Sequence, residues 1–293
     1  MRLFIVANTE KAEVRPALED LVPWIGQHAQ VVGVDTDRAV DLRTVEAEVI
    51  LALGGDGTLL SAARRLQGKQ IPLMGVNFGR LGFLASFQPE RFREDFQALL
   101  AGKLPVSSRL VLEGSLLDAW VDCRERDAFE VAAKRRLVAT ALNDAVITAG
   151  APFHMIELEL CVDGNAGIKY FGDGIIVSTP SGSTAYNVSA GGPIVSPDVP
   201  AFCITPICPH SLSFRPVVIS SETELVIIAR RVNPGTTLFC DGQEADRVQA
   251  GDRVVIRRSA HDVKLIENPQ ARQWRSLADK LNWAATPRYN ERK

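Results

Sequence analysis

Apolar positions in the first hundred residues fall into short runs separated by stretches of helical periodicity. Residues 3–7, 31–34, 49–53 and 71–76 are apolar runs of strand length. Residues 16–28, 58–66 and 89–100 instead carry apolar side chains at helical spacing, with Phe92, Phe96 and Leu99 on one face. Strands alternating with helices predict a parallel sheet covered on both sides, whose ligands sit at the carboxyl ends of the strands. From Pro105 the pattern changes to apolar–polar alternation. Residues 109–117, 137–148, 154–162, 167–177, 217–219, 224–229, 236–239, 253–256 and 262–266 read as strands. Turns such as Asp163-Gly164-Asn165 and Asn233-Pro234-Gly235 separate them. This predicts an antiparallel, all-β domain. Residues 270–283 look helical again, with Trp274, Leu277 and Leu281 in one apolar stripe. The expected architecture is an α/β domain over 1–104, a β-rich domain over 105–267, and a C-terminal helix within 268–293 that packs back on the first domain.

Composition narrows the function classes. Of 293 residues, 46% are hydrophobic and 23% charged, which excludes a disordered, fibrous or miniature scaffold. Thirty-three Lys and Arg against 35 Asp and Glu leave a formal charge of −2, with no electrostatic reason to expect nucleic acid or an anionic membrane as partner. The stretch 124–136 mixes charge signs and reads as a solvated connection. Five cysteines (Cys123, Cys161, Cys203, Cys208, Cys240) show no C-x-x-C spacing and read as reduced, mostly buried thiols of a cytoplasmic protein. The N-terminus turns charged too soon for a signal peptide, and no apolar run approaches the length of a membrane span.

Two stretches carry the chemistry. The run at 49–53 ends in Gly54-Gly55-Asp56-Gly57-Thr58, and a helical pattern follows at once. Glycines admit a close ligand, the new helix offers unpaired N–H groups to phosphate, and Thr58 is placed to cap that helix or donate to a phosphate oxygen. Asp56 does not suit a pure phosphate cradle. It suits a group that accepts a proton from an attacking hydroxyl or helps place a divalent cation, and a tight βα turn is the structural alternative. The second stretch runs from Thr179 to Pro193, with hydroxyls at 178, 179, 181, 183, 184, 186 and 189. That density suits a polyhydroxylated ligand, and the Tyr186 ring suits a base or ribose; a Ser/Thr-rich loop that caps itself is the alternative. Asp173 sits between two glycines just upstream. Asn143-Asp144 interrupts an apolar strand pattern, as a bulge or turn would, and Cys240-Asp241-Gly242-Gln243 reads as a hairpin turn.

Together these residues resemble the NAD kinases, which phosphorylate the adenosine 2′-hydroxyl of NAD to make NADP. The resemblance rests on Gly54-Gly55-Asp56-Gly57-Thr58, Leu142-Asn143-Asp144, Asp173-Gly174, the run Ser178 to Tyr186, Ser189-Ala190-Gly191-Gly192-Pro193, Pro209-His210-Ser211-Leu212 with Arg215-Pro216, and Asp241-Gly242-Gln243. They occur in the family's order across most of residues 48–245. The resemblance implies a Rossmann-like first domain and a β-rich NAD-binding second domain. It implies Asp56 as general base, Gly55, Gly57 and Thr58 at the donor phosphates, and Asn143, Asp144, Asp173, Thr184, Ala185, Tyr186 and Ser189 at the NAD. His154 and Gln243 match looser binding positions. It further implies a divalent cation, Mg2+ above all, with no protein metal ligand assigned, ATP or polyphosphate as donor, and a homodimer or homotetramer. Three departures stand out. Asn143-Asp144 replaces the usual Asn-Glu, Phe171 stands where an arginine is common, and Thr-Pro-Ser-Gly replaces Thr-Pro-Thr-Gly. Two other readings of the chain remain: a kinase of another alcohol, of the lipid kinase type, and a non-catalytic NAD- or NADP-binding protein.

Overall fold

The structure, a computed structural model, describes residues 1–79, 82–118, 135–211 and 213–271. The chain divides into two compact units. The first comprises residues 1–66, 71–107 and the chain from 264, and the second comprises 67–70 and 108–263.

In the first unit, β1 (Arg2–Ala7), β2 (Gln30–Asp35), β3 (Val49–Gly54) and β4 (Leu73–Asn77) alternate with α1 (Val14–Gly26) and α2 (Asp56–Leu66), and α3 (Phe92–Leu100) follows. β3 and β4 are buried at every residue, and β1 at all but its first. Strands sandwiched between layers read this way, while the edge strand β2 alternates. Trp24 of α1 meets the edge of Phe96 of α3 at 5.4 Å between ring centroids, in a core shared with Leu3, Ile5, Leu51 and Val76. β5 (Val106–Arg109) comes next, and much later in the chain β18 (Val263–Ile266). The sheet order is β2-β1-β3-β4-β18-β5, with parallel pairing across β2-β1-β3-β4-β18. Both β5 and β18 therefore belong to this sheet. The strand read at 262–266 forms, but it joins β4 (Leu265 opposite Leu73) instead of the β-rich domain. The chain thus returns to the first unit by a strand. All but the first two residues of the helix expected over 270–283, Cys123 and most of the charged stretch 124–136 lie outside the described residues.

The second unit holds two six-stranded antiparallel sheets. One contains β6 (Leu112–Leu117), β7 (Arg135–Ala141), β9 (Ile156–Val162), β10 (Asn165–Gly172), β14 (Leu225–Arg231) and β17 (Arg253–Arg258), in the order β10-β9-β14-β17-β6-β7. The other contains β8 (Asp144–Thr148), β11 (Gly174–Ser178), β12 (Ala201–Ile207), β13 (Val217–Ser220), β15 (Thr237–Cys240) and β16 (Gln243–Arg247), in the order β13-β12-β11-β8-β15-β16. Leu112, Leu158, Leu160 and Ile227 from the first meet Ile147, Ile175, Val177 and Phe202 from the second in one core, as in a sandwich. The single strand read over 137–148 is two, broken at Leu142-Asn143. The segment 167–177 likewise breaks at Asp173. Cys161, Cys203 and Cys240 are buried free thiols, and Cys208 is exposed.

Candidate active site

In the first unit, β3 ends at Gly54 and helix α2 starts at once. The Gly55 carbonyl accepts the N–H groups of Thr58 (3.0 Å) and Leu59 (3.2 Å). Thr58 is neither the cap nor an exposed donor: the helix begins two residues before it, and its buried side chain packs beneath Gly54. A side chain at Gly54 would strike the Thr58 hydroxyl, which is why glycine stands there. Gly57 is exposed and faces open space. The strand order reverses between β1 and β3, and the crevice at such a reversal is where α/β sheets bind ligands. A cleft of about 180 Å³ opens at the carboxyl ends of β1 and β2, lined by Asn8, Glu10, Thr36, Asp37, Thr58 and Ser61 among others.

Asp56 is half-buried in the first turn of α2. Its carboxylate is held by the backbone of a neighbouring segment. Oδ2 accepts the Phe83 N–H at 2.7 Å, and Oδ1 accepts those of Ala85 (2.8 Å) and Leu84 (3.2 Å). Gly82 lies against the same carboxylate, too close for any side chain. A carboxylate has about four acceptor sites. Described donors fill three, which leaves one on Oδ2. The clasp by residues 83–85 was not foreseen, because nothing local in 54–58 announces a partner 27 residues on.

Lys11 is a second unforeseen member. It sits in the loop after β1, yet its ammonium donates to the carbonyl oxygens of Gly54 (2.6 Å) and Phe78 (2.9 Å), at the ends of β3 and β4. The available signal was its place just past a strand end on the ligand-binding edge of a parallel sheet.

In the second unit, most of the hydroxyl-rich stretch serves its own fold. Ser178, Thr179 and Ser183 are fully buried. Thr179 donates to the Leu142 carbonyl and accepts the Gly182 N–H at 3.1 Å; Ser183 donates to the Pro180 carbonyl at 2.7 Å and accepts the Val195 N–H at 3.0 Å. Asn187, also fully buried, ties Ser183, Pro193 and Thr205 together. The reading of this hydroxyl density as a ligand surface is therefore corrected for Ser178, Thr179 and Ser183. A short 3-10 turn, Ser181–Thr184, and a helical turn, Tyr186–Ser189, follow. Only here do side chains emerge: Thr184 and Ala185 are half-buried, while Tyr186 and Ser189 are exposed.

The turn between β7 and β8 packs against that stretch. Thr179 N–H donates to the Asn143 carbonyl at 2.8 Å, and Gly182 is pressed onto the Asn143 backbone. Asp241, in the hairpin between β15 and β16, accepts the N–H groups of Leu142 (3.0 Å), Asn143 (2.7 Å) and Asp144 (3.4 Å), and returns its own N–H to the Asp144 carbonyl (3.0 Å). Asp144 itself is buried. Loss of hydration, reinforced by the Asp241 charge, pushes its carboxyl up to about 7. Gln243 is exposed two residues beyond Asp241.

Asp173 and His154 do not join this group. Asp144 pairs with Ser178 at one end of the β8–β11 ladder and Thr148 pairs with Gly174 at the other. Asp173 precedes Gly174, so it lies roughly 20 Å from Thr179 at about 3.3 Å per residue. There its carboxyl takes a hydrogen bond from the Cys208 thiol and holds that thiol above its ordinary pKa, and its carbonyl accepts the Ala149 N–H. His154 is exposed near the same end, where the Asn233 amide donates to its carbonyl at 2.6 Å.

Among the described residues no three His, Cys, Asp or Glu side chains converge as metal ligands would, and no helix is long and apolar enough to cross a membrane.

Residues 3–104 match the ATP-NAD kinase N-terminal domain and residues 142–268 the ATP-NAD kinase C-terminal domain. An NAD kinase of Rhodopirellula baltica is 35% identical over 283 residues, spanning 97% of this chain and 87% of that protein. One of Geobacter sulfurreducens is 38% identical over 292 residues, spanning 96% and 98%. Among solved structures, an NAD kinase from Archaeoglobus fulgidus in complex with ATP superposes with a TM-score of 0.73 at 26% identity, over 96% of this chain and 99% of that one. Yeast NADH kinase complexed with NADH shares the fold, with a TM-score of 0.84 at 22% identity over 99% and 90%.

Proposed function

The chain belongs to the NAD kinase family, and from that premise we infer that it transfers a phosphoryl group from ATP to the adenosine 2′-hydroxyl of NAD, with Asp56 as the proton acceptor. The observation that carries the role of Asp56 is its placement: a half-buried carboxylate in the first turn of α2, fixed by three backbone N–H groups, with one acceptor site left on Oδ2. In the step itself, the 2′-oxygen attacks the γ-phosphorus, its proton passes to Oδ2, and the bond to the β-phosphate oxygen breaks with ADP leaving. General base assistance of this kind is worth ~10² to 10⁴-fold; positioning of the γ-phosphoryl group in line supplies much of the rest.

The first unit handles the donor. Gly55, Gly57 and the opening of α2 present backbone to the phosphates, and the cleft at the ends of β1 and β2 receives the nucleoside, its wall formed in part by Thr58. The second unit handles NAD through Asn143, Asp144, Thr184, Ala185, Tyr186, Ser189 and Gln243. Asp173 and His154 lie too far along the sheet to touch the same ribose as Asn143. Their place suits another part of the dinucleotide. A divalent cation accompanies a triphosphate, and Mg2+ takes oxygen ligands of the kind that donor phosphates and water supply. We read the protein as a cytoplasmic homo-oligomer, and exposed Phe153, Met155, Ile168 and Phe171 in the second unit support the assembly.

The test is Asp56→Asn. It should keep the fold and NAD binding and lower NADP formation by at least ~10²-fold, read through an NADP-specific dehydrogenase. Turnover near the wild-type rate would remove Asp56 from the step.

A further inference from the structure

Lys11 is placed where a donor phosphate would need a cation. Its ammonium bridges the ends of β3 and β4 through the Gly54 and Phe78 carbonyls. Two glycines make room for it: a Cβ on Gly55 would stand 3.0 Å from Nζ, and one on Gly79 would stand 3.3 Å from it. Gly55 has no left-handed backbone to explain its identity, so the close approach of Lys11 and of the Asn77 side-chain oxygen (3.2 Å) is its reason. An ammonium has three donors. Two are committed here, and among the described residues no carboxylate pairs with the charge. Two carbonyls can be tied by any donor. A half-buried full charge without a counter-ion is an expensive staple, and it fits a site that receives an anion. The opening turn of α2 adds partial positive charge in the same unit.

We propose that Lys11 is a donor-binding residue: its Nζ contacts a non-bridging oxygen of the polyphosphate tail and offsets charge at the group being transferred. This rests on the reading that the donor lies at the glycine turn. Two variants separate charge from tethering. Lys11→Met removes both. Lys11→Gln keeps an N–H donor for the carbonyls and loses the charge. Both should raise the KM for ATP on the order of 10- to 100-fold, the range expected for a charge-assisted hydrogen bond, with the KM for NAD within about twofold of wild type. Inorganic tripolyphosphate should raise the melting temperature of the wild type and have little effect on Lys11→Gln; Lys11→Arg should recover part of both properties. A Lys11→Gln protein with the wild-type KM for ATP and the wild-type response to tripolyphosphate would overturn the proposal, even if Lys11→Met melts early. Absence of a tripolyphosphate effect on the wild type would overturn it too. A wild-type protein that responds to tripolyphosphate but forms no NADP would sink the kinase reading and leave the anion site standing.

Discussion

The glycine-aspartate turn of the first unit and the hydroxyl-rich stretch of the second are both dense in polar groups, and they use them in opposite ways. Around the turn, backbone N–H groups, two glycines and one distant lysine arrange a carboxylate and a cation whose bonding capacity is not used up. In the stretch, Ser178, Thr179, Ser183 and Asn187 commit every donor proton to carbonyls of the same unit, and Thr179, Ser183 and Asn187 each accept a bond there as well. A buried hydroxyl left without partners is costly, so a loop that must be buried fills itself with matched donors and acceptors. Density of hydrogen-bonding side chains thus marks a loop that needs internal satisfaction as readily as one that binds a sugar. The discriminating signal is residual capacity together with exposure. It singles out Thr184, Tyr186 and Ser189 from the same run.

The sharpest way to press the comparison, after Asp56 and Lys11, is Asp144. Its carboxyl is pushed up to about 7 by burial and by Asp241, against an ordinary value near 3.8. The folded state then binds a proton that the unfolded state has released across about pH 4 to 7. With more protons on the native state, stability falls as pH rises through that window. A shift of this size corresponds to a loss on the order of 4 kcal/mol by pH 8. Asp144→Asn should remove that decline and make the variant more stable than wild type at pH 8, with little difference at pH 4. Parallel urea curves for the two proteins across the window would show that Asp144 does not titrate there.

Smaller but more direct is Thr179→Val. The shape is kept while the Leu142 carbonyl and Gly182 N–H lose their partner, which should cost about 1–3 kcal/mol and lower the melting temperature by several degrees. The KM for NAD should not move. An unchanged melt with a raised KM would return Thr179 to the ligand surface.

How much of this was legible along the chain follows from how far each contact reaches. β1, β3 and β4 were readable because a strand covered on both faces is a continuous apolar run. β12 was not read as a strand, since its apolar run contains Pro206 and has no alternation to set strand apart from buried helix. β16 was hidden by its polar residues, Gln243 to Arg247, at the edge of its sheet. The strand character of Val263–Ile266 showed in the sequence and its sheet did not, because a four-residue pattern does not specify its neighbour. The same limit applies to the site. Asp56 stood out within a five-residue motif, whereas Lys11 acts on carbonyls 43 and 67 residues away, and Asp241 on N–H groups 97 to 99 residues away.

Tyr186 gives the finest test. It opens the helical turn after the satisfied stretch and is 47% exposed, so its ring has little packing to lose. If exposure with unused capacity is what separates ligand contact from self-support, Tyr186→Ala should leave the melting curve near wild type, in contrast to Thr179→Val seven residues earlier. Loss of a ring stacked on a base or ribose is worth about 0.5–1.5 kcal/mol, a roughly two- to tenfold rise in the KM for NAD with kcat nearly constant. Steady-state kinetics at fixed saturating ATP decide it. A fall in kcat with KM unchanged would place Tyr186 with the transferring group, and a lower melting temperature with unaltered kinetics would assign the whole run, exposed members included, to the architecture of the second unit.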